Sequence, residues 1–182
     1  MRFSLAPSLL SRKMICTAYV PAPFDDSDRF RFQALHALAV LKVVRRHLRL
    51  GYKLLGLEQR ENGARIDISF QTPQGRMRMH EVKSARELNE VHVNQAALYW
   101  TPKWDEVAVS NGDRDLVLTV DQIRRVQEQA EVVRELLINQ PDLAASTFTP
   151  SDGVCNTCVN HKCLYLPKFA AIRSLPVRIE KK

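Results

Sequence analysis

Residues 64–83 read ARIDISFQTPQGRMRMHEVK, and their pattern decides the fold. Along 64–71, Ile66, Ile68 and Phe70 alternate with Asp67, Ser69 and Gln71, which is the period of a β-strand. That spacing predicts that Asp67 points away from the face the three apolar residues bury. Thr72-Pro73-Gln74-Gly75 carries the residues of a β-turn, and 76–83 is a further strand-like run. Upstream, 54–60 is also strand-like, and Asn62-Gly63, a hairpin signal, joins it to 64–71. Outside this meander, 28–53 has a helical period, with Asp25, Asp26, Ser27 or Asp28 available to cap it and Gly51 near its end. A helix is expected over 87–100, strands over 106–110 and 115–119, and a long helix over 121–139, stopped by Pro141. The order α-β-β-β-α-β predicts an α/β fold in which helices flank a mixed β-sheet, built as one domain over 1–182.

The composition agrees with a folded domain. The 182 residues are 45% hydrophobic and 26% charged, which excludes disorder, collagen and low-complexity chains. No apolar run approaches the ~18 residues of a membrane span. The opening MRFSLAPSLLSRKMIC is basic but has neither a sustained apolar core nor a small-residue cleavage site, so a cytoplasmic protein is expected. Lys plus Arg outnumber Asp plus Glu by 27 to 20, a net charge of +7 that favours a polyanionic partner. On the first helix, Lys42, Arg45, Arg46, Arg49 and Lys53 fall in one stripe, with Leu41, Val44 and Leu48 expected on the opposing apolar side. The stripe can hold phosphates or simply be a solvated face.

Glu81 and Lys83 are two apart on a strand and share a face, while Val82 turns away. Asp67 lies on the neighbouring strand across a tight turn. Carboxylates brought together this way repel unless a cation joins them, and oxygen ligands of this kind grip Mg²⁺ or Mn²⁺. A lysine beside the ion places positive charge where a phosphoryl oxygen becomes more negative. The same D…E-x-K pattern also arises as ordinary surface ion pairing. Gln95 and Tyr99 are spaced i, i+4 on the following helix, on one face near the strand end that carries Glu81. His36, at the edge of the first helix's apolar face, offers an imidazole as a further ligand. His47 lies in nearly the same wheel direction but about 16 Å further along the axis, so only one of the two can reach the site.

The four cysteines add a second constellation. Cys155, Cys158 and Cys163 form C-x2-C-x4-C in GVCNTCVNHKC, and Cys16 lies far upstream. They suit a short zinc knuckle, with His161 as a possible substitute ligand, or an iron–sulfur cluster that staples the chain ends together. Spacing alone does not separate the two.

Asp67, Glu81-Val82-Lys83 and Gln95-Ala96-Ala97-Leu98-Tyr99 together resemble the motifs of RecB-like PD-(D/E)xK nucleases. Cys16 with Cys155, Cys158 and Cys163 resembles their iron–sulfur subgroup, which includes AddB-type recombination nucleases and the small CRISPR-associated Cas-four nucleases. The resemblance covers about residues 3 to 166, and the size of the chain favours the Cas-four type. It implies a restriction-endonuclease-like core, with His36, Asp67, Glu81 and the Val82 carbonyl as ligands of a catalytic Mn²⁺ or Mg²⁺. Lys83 would be the catalytic lysine, and Gln95 and Tyr99 the helix motif beside the substrate. The four cysteines would hold a structural 4Fe–4S cluster, a clasp formed by Cys16 with 153–166. Two features depart from the pattern: Ala64 stands where a glycine often precedes the Asp strand, and the stretch from His36 to Asp67 is short. The implied activity is metal-dependent hydrolysis of DNA, with a preference for single strands and free ends. In CRISPR adaptation such enzymes trim prespacer ends with the Cas-one integrase and Cas-two. The alternatives are a phage or recombination nuclease of the same chemistry, and a non-catalytic zinc-knuckle DNA-binding module.

Overall fold

Five strands form one sheet in the order β1-β2-β3-β4-β5: β1 (Lys53–Glu61), β2 (Ala64–Gln71), β3 (Met77–Val82), β4 (Glu106–Ser110) and β5 (Asp115–Leu118). Every neighbouring pair is antiparallel except β3 and β4, which are parallel because helix α3 (Glu90–Tyr99) crosses between them. The expected mixed sheet with flanking helices is therefore present. The structure is a computed structural model and describes residues 5–23, 25–61, 64–163 and 165. The Asn62-Gly63 turn lies outside the described residues, and Glu61 pairs with Ala64 on either side of it. At the next turn Gly75 N–H donates to the Thr72 carbonyl at 2.9 Å, and Gly75 has φ of +84°, a value that suits glycine.

Caps set the helix boundaries. Helix α1 (Pro7–Lys13) opens on a proline in its first turn. The first long helix, α2, runs Asp26–Arg49 rather than 28–53, because the Asp25 carboxylate accepts from Asp28 N–H at 2.7 Å, and Gly51 ends the turn beyond it with φ of +81°. Lys53 consequently belongs to β1 and not to the basic stripe of α2. Helix α3 starts at Glu90 rather than 87, where Asn89 and His92 cap reciprocally. Thr119 and Gln122 do the same for α4 (Val120–Asn139). Pro141 not only stops α4 but opens the short α5 (Pro141–Ser146), and α6 (Asp152–Cys155) follows.

Both faces of the sheet are covered. On one side Met79, Ala96, Ala97, Trp104, Val107, Val109, Ile123 and Val126 pack under α3 and α4. On the other, Ala39, Val40 and Val43 of α2 meet Ile68, Phe70 and Val82. Two expectations are corrected here. The buried face of α2 is Ala39, Val40, Val43 and His47, whereas Leu41 and Leu48 are 62% and 49% exposed. Ile66 packs with the α3 side and not with Ile68 and Phe70, and Asp67 and Ser69 are buried as deeply as their apolar neighbours. Alternation along β2 thus marks two covered faces, one apolar and one partly polar, rather than core and solvent.

Candidate active site

The site lies where two strands part. The β2–β3 ladder runs from Gln71↔Met77 to Ile68↔His80, while β3 stays paired with β4 through Glu81↔Val109 and Val82↔Ser110. Past His80, therefore, β3 keeps one neighbour and leaves the other. The Val82 N–H that no strand backbone meets on that side donates instead to Asp67 Oδ2 at 2.7 Å. A buried amide needs such a partner, and Asp67 is fixed by supplying it. The parting opens a cleft of about 280 Å³ lined by His36, Asp67, Glu81, Val82, Lys83, Gln95 and Tyr99, with Phe32, Arg65 and Ser84 on its walls. Every residue singled out from the sequence for the metal and the helix motif lines this one cleft.

Within it a line of side chains crosses from β3 to α3. Lys83 Nζ donates to Glu81 Oε1 at 2.5 Å and to Gln95 Oε1 at 2.8 Å, and Gln95 Nε2 donates to the Tyr99 hydroxyl at 3.1 Å. Burial pushes the Glu81 carboxyl up to about 7; the Lys83 ammonium opposes the rise and the Asp67 carboxylate adds to it. Burial, with Glu81 nearby, also raises the Tyr99 phenol. His36 is held above its ordinary value by Asp67, against the effect of burial. Its Nε2 lies 3.4 Å from Asp67 Oδ1 and 3.4 Å from Glu58 Oε1 and is buried without an aligned hydrogen bond to either. Two buried carboxylates, of which Glu81 is pushed upward, and an imidazole nitrogen without an aligned hydrogen bond form a donor set that fits a hard divalent cation.

Glu58 is the cleft-side residue that the sequence did not reveal. It has φ of +51°, unusual for any residue but glycine, on a strand whose register shifts between Leu54 and Gly56. Strand alternation carries no signal for such a reversal. His47 is placed elsewhere. Its Nδ1 donates to the Val43 carbonyl at 2.9 Å, its Nε2 faces Asp115 Oδ2 at 3.1 Å, and its ring stacks on Phe70 with centroids 4.9 Å apart. His80 and Ser110 complete that buried network, with Ser110 Oγ 2.6 Å from His80 Nδ1 and 2.5 Å from Asp115 Oδ1. Burial lowers His80 to about 3. Burial alone would raise Asp115, but hydrogen bonds from His47 and Ser110 outweigh it and hold the carboxyl at about 2.

The cleft continues into a groove of about 460 Å³ that shares Lys83 and Ser84 with it. Lys42, Arg45, Arg86 and Asp113 line this groove beside Leu35, Leu38 and Leu41, and none of the three cations forms an ion pair among the described residues. Arg46 leaves the stripe to pair with Asp115.

The segments that carry Cys16 and Cys155–Cys163 meet, mostly through backbone contacts. Pro21 bridges Cys158, Ala22 N–H donates to the Thr157 carbonyl at 3.0 Å, Val159 N–H to Val20 at 2.9 Å, and Asn160 Nδ2 to Ala18 at 2.6 Å. Cys16, Cys155 and Cys158 are buried in one apolar cluster and Cys163 is half-buried. Burial raises the Cys155 thiol, and the other three cysteines lie near enough to act on it. The four sulfurs do not gather around a common point, so the expected iron–sulfur clasp is not formed, and packing and hydrogen bonds join these segments in its place. Residues 164 and 166 of the clasp segment lie outside the described residues.

No family model matches the chain, and no curated protein does. Among solved structures, it is similar to a protein of unknown function from Silicibacter pomeroyi, at 14% identity and a TM-score of 0.27, over 59% of this chain and 93% of that one. No helix among the described residues is long and apolar enough to cross a membrane.

Proposed function

We propose that the protein is a metal-dependent DNA nuclease that hydrolyses phosphodiesters at the cleft between β2 and β3. The observation that carries this reading is the convergence of His36, Asp67, Glu81, Lys83, Gln95 and Tyr99, chosen from four separate stretches of sequence, on one cleft. Asp67, Glu81 and His36, with the Val82 carbonyl, would hold Mg²⁺ or Mn²⁺. When bound, such an ion supplies Lewis acidity and a water acidic enough to attack a phosphorus at neutral pH. Lys83, already oriented by Glu81 and Gln95, places its ammonium where charge grows on the phosphoryl oxygens. Gln95 fixes Lys83 on one side and Tyr99 on the other, so the helix motif acts first as a positioning device. The Tyr99 hydroxyl accepts from Gln95 and keeps its own proton to donate to substrate.

The choice of nucleic acid rests on the groove that continues from the cleft. Its three cations, unpaired among the described residues, suit a phosphate backbone, and its leucines suit exposed bases better than a closed duplex. A single strand or frayed end leading into the cleft is the substrate geometry this favours. A role beside the Cas-one integrase and Cas-two belongs to the same proposal, as does a 4Fe–4S centre on the cysteines, which would have to draw together sulfurs that the packing leaves apart. Co-purification with those partners and iron analysis of anaerobically prepared protein test them. The central experiment is degradation of end-labelled single- and double-stranded DNA with Mg²⁺, Mn²⁺ or EDTA. Cleavage of the single strand that EDTA abolishes is the expected result, and inert DNA under every metal would remove the reading.

A further inference from the structure

We infer that Glu58 is an additional ligand of the cleft's metal, delivered from the edge strand by a strained backbone; the inference rests on the nuclease reading and adds a residue to its site. Ligand atoms of His36, Glu58 and Asp67 lie within 4.8 Å of one another. His36 Nε2 sits 3.4 Å from a carboxylate oxygen of each acid, buried and hydrogen-bonded to neither. A nitrogen held between two carboxylates without a hydrogen bond is the arrangement a cation would complete.

The backbone of β1 brings Glu58 there at a cost. The strand shifts register between Leu54 and Gly56, and Gln59 folds back over Gly56, where a Cβ would lie 2.2 Å from the Gln59 amide carbon. Gln59 in turn accepts from Ser69 Oγ at 2.6 Å, pinning the irregular segment to β2. Glu58, between them, takes φ of +51°. A non-glycine residue in this region costs free energy that the surrounding contacts must offset, and such positions cluster at functional sites. An undistorted strand at this position would spare the cost but would not aim the carboxylate as it is now aimed. Arg65 Nε holds the other oxygen of Glu58 at 2.9 Å, so in the metal-free protein the carboxylate already has a cation beside it. Arg65 thus occupies the place beside this carboxylate that a metal would take over.

Mn²⁺ binding, followed by electron paramagnetic resonance and by the Mn²⁺-induced rise in melting temperature, tests this in wild type, Glu58→Gln, Glu58→Gly and Asp67→Asn. Wild type is expected to bind, Asp67→Asn to lose binding, and both Glu58 variants to bind about tenfold more weakly or worse. Glu58→Gly should at the same time melt no lower than wild type without metal, because glycine accepts the left-handed φ without strain. A mere structural partnership with Arg65 predicts the opposite pair of results: a lower metal-free melting temperature in both variants and unchanged Mn²⁺ affinity. That outcome, with Asp67→Asn still deficient, overturns the role of Glu58 and leaves the nuclease reading standing. Wild-type protein that takes up no Mn²⁺ overturns both.

Discussion

Lys83 shows how much a single side chain here depends on its neighbours. It lies between an oxygen of Glu81 and an oxygen of Gln95, at 2.5 and 2.8 Å, and Gln95 is held in turn by the Tyr99 hydroxyl. Lys83→Ala is therefore expected to lower DNA cleavage by about 10²-fold or more, the scale of losing one charge-stabilising donor, while circular dichroism and melting temperature stay near wild type. Glu81→Ala should be as damaging to cleavage; activity of either variant close to wild type would remove the site assignment. Asp67, Glu81 and Lys83 were legible in the sequence because a strand's period of two fixes which side chains share a face. Gln95 and Tyr99 were legible by the corresponding helical rule. Glu58 was not, since a left-handed residue inside a strand leaves no trace in the apolar pattern.

At the scale of elements, α2 is where periodicity succeeded and failed together. The helical period located it to within a few residues, but the face it buries, Ala39, Val40, Val43 and His47, is narrow and built partly of small side chains. The larger Leu41 and Leu48 remain outside and only Val44 of the expected apolar side packs against this core, so a wheel weighted by hydrophobicity is offset from the face that is buried. The same helix carries two histidines with different neighbours, which separates their expected effects. His36→Ala should weaken Mn²⁺ affinity with little change in metal-free melting. His47→Ala should leave Mn²⁺ affinity intact and lower the melting temperature, because it empties a buried, hydrogen-bonded position between Phe70 and Asp115. The reverse pattern would mean that the ligand is misassigned. Lys42 and Arg45, also on α2, line the groove next to the cleft. The double variant Lys42→Ala/Arg45→Ala should bind single-stranded DNA more weakly, with a slope of log affinity against log salt shallower by about 1.4, near 0.7 per lost phosphate contact. Its turnover at saturating DNA should be close to wild type. An unchanged slope would place the strand elsewhere.

Across the whole molecule, the sequence foretold a sheet of the right kind, but cysteine spacing could not say whether thiols or backbone join the segments around Cys16 and Cys155. Backbone bonds such as Ala22 to Thr157 and Val159 to Val20 do so in the structure, and no local pattern announces contacts over such separations. The balance of titratable groups on the two sides of the sheet sets a further global property, the pH at which the fold is most stable. On the α2 side His80 is lowered to about 3 and Asp115 to about 2. Each binds a proton more readily in the unfolded chain, so their contributions are fully present above the unfolded values of about 6.5 and 3.9 and are lost as pH falls through the folded ones. In the cleft Glu81 is raised to about 7, so there the folded chain holds the proton more tightly. Its contribution is present below about 4.3 and is lost as pH rises through 7. Without metal, the two trends oppose each other between about 4.3 and 6.5, and His92, which burial lowers to about 4, adds to the rise on the His80 side. The melting temperature should then be highest toward the upper end of that interval and lower at pH 8. A bound divalent cation favours ionised Glu81 and cancels its penalty, so with Mn²⁺ present the melting temperature should instead rise to about pH 6.5 and hold at pH 8. Glu81→Gln removes the titrating group, and its metal-free melting curve should lose the alkaline decline. Melting temperatures from pH 4 to 8, with EDTA and with Mn²⁺, check all three; a metal-free protein most stable at pH 8 would contradict the buried, upward-shifted Glu81 on which the cleft's demand for a cation depends.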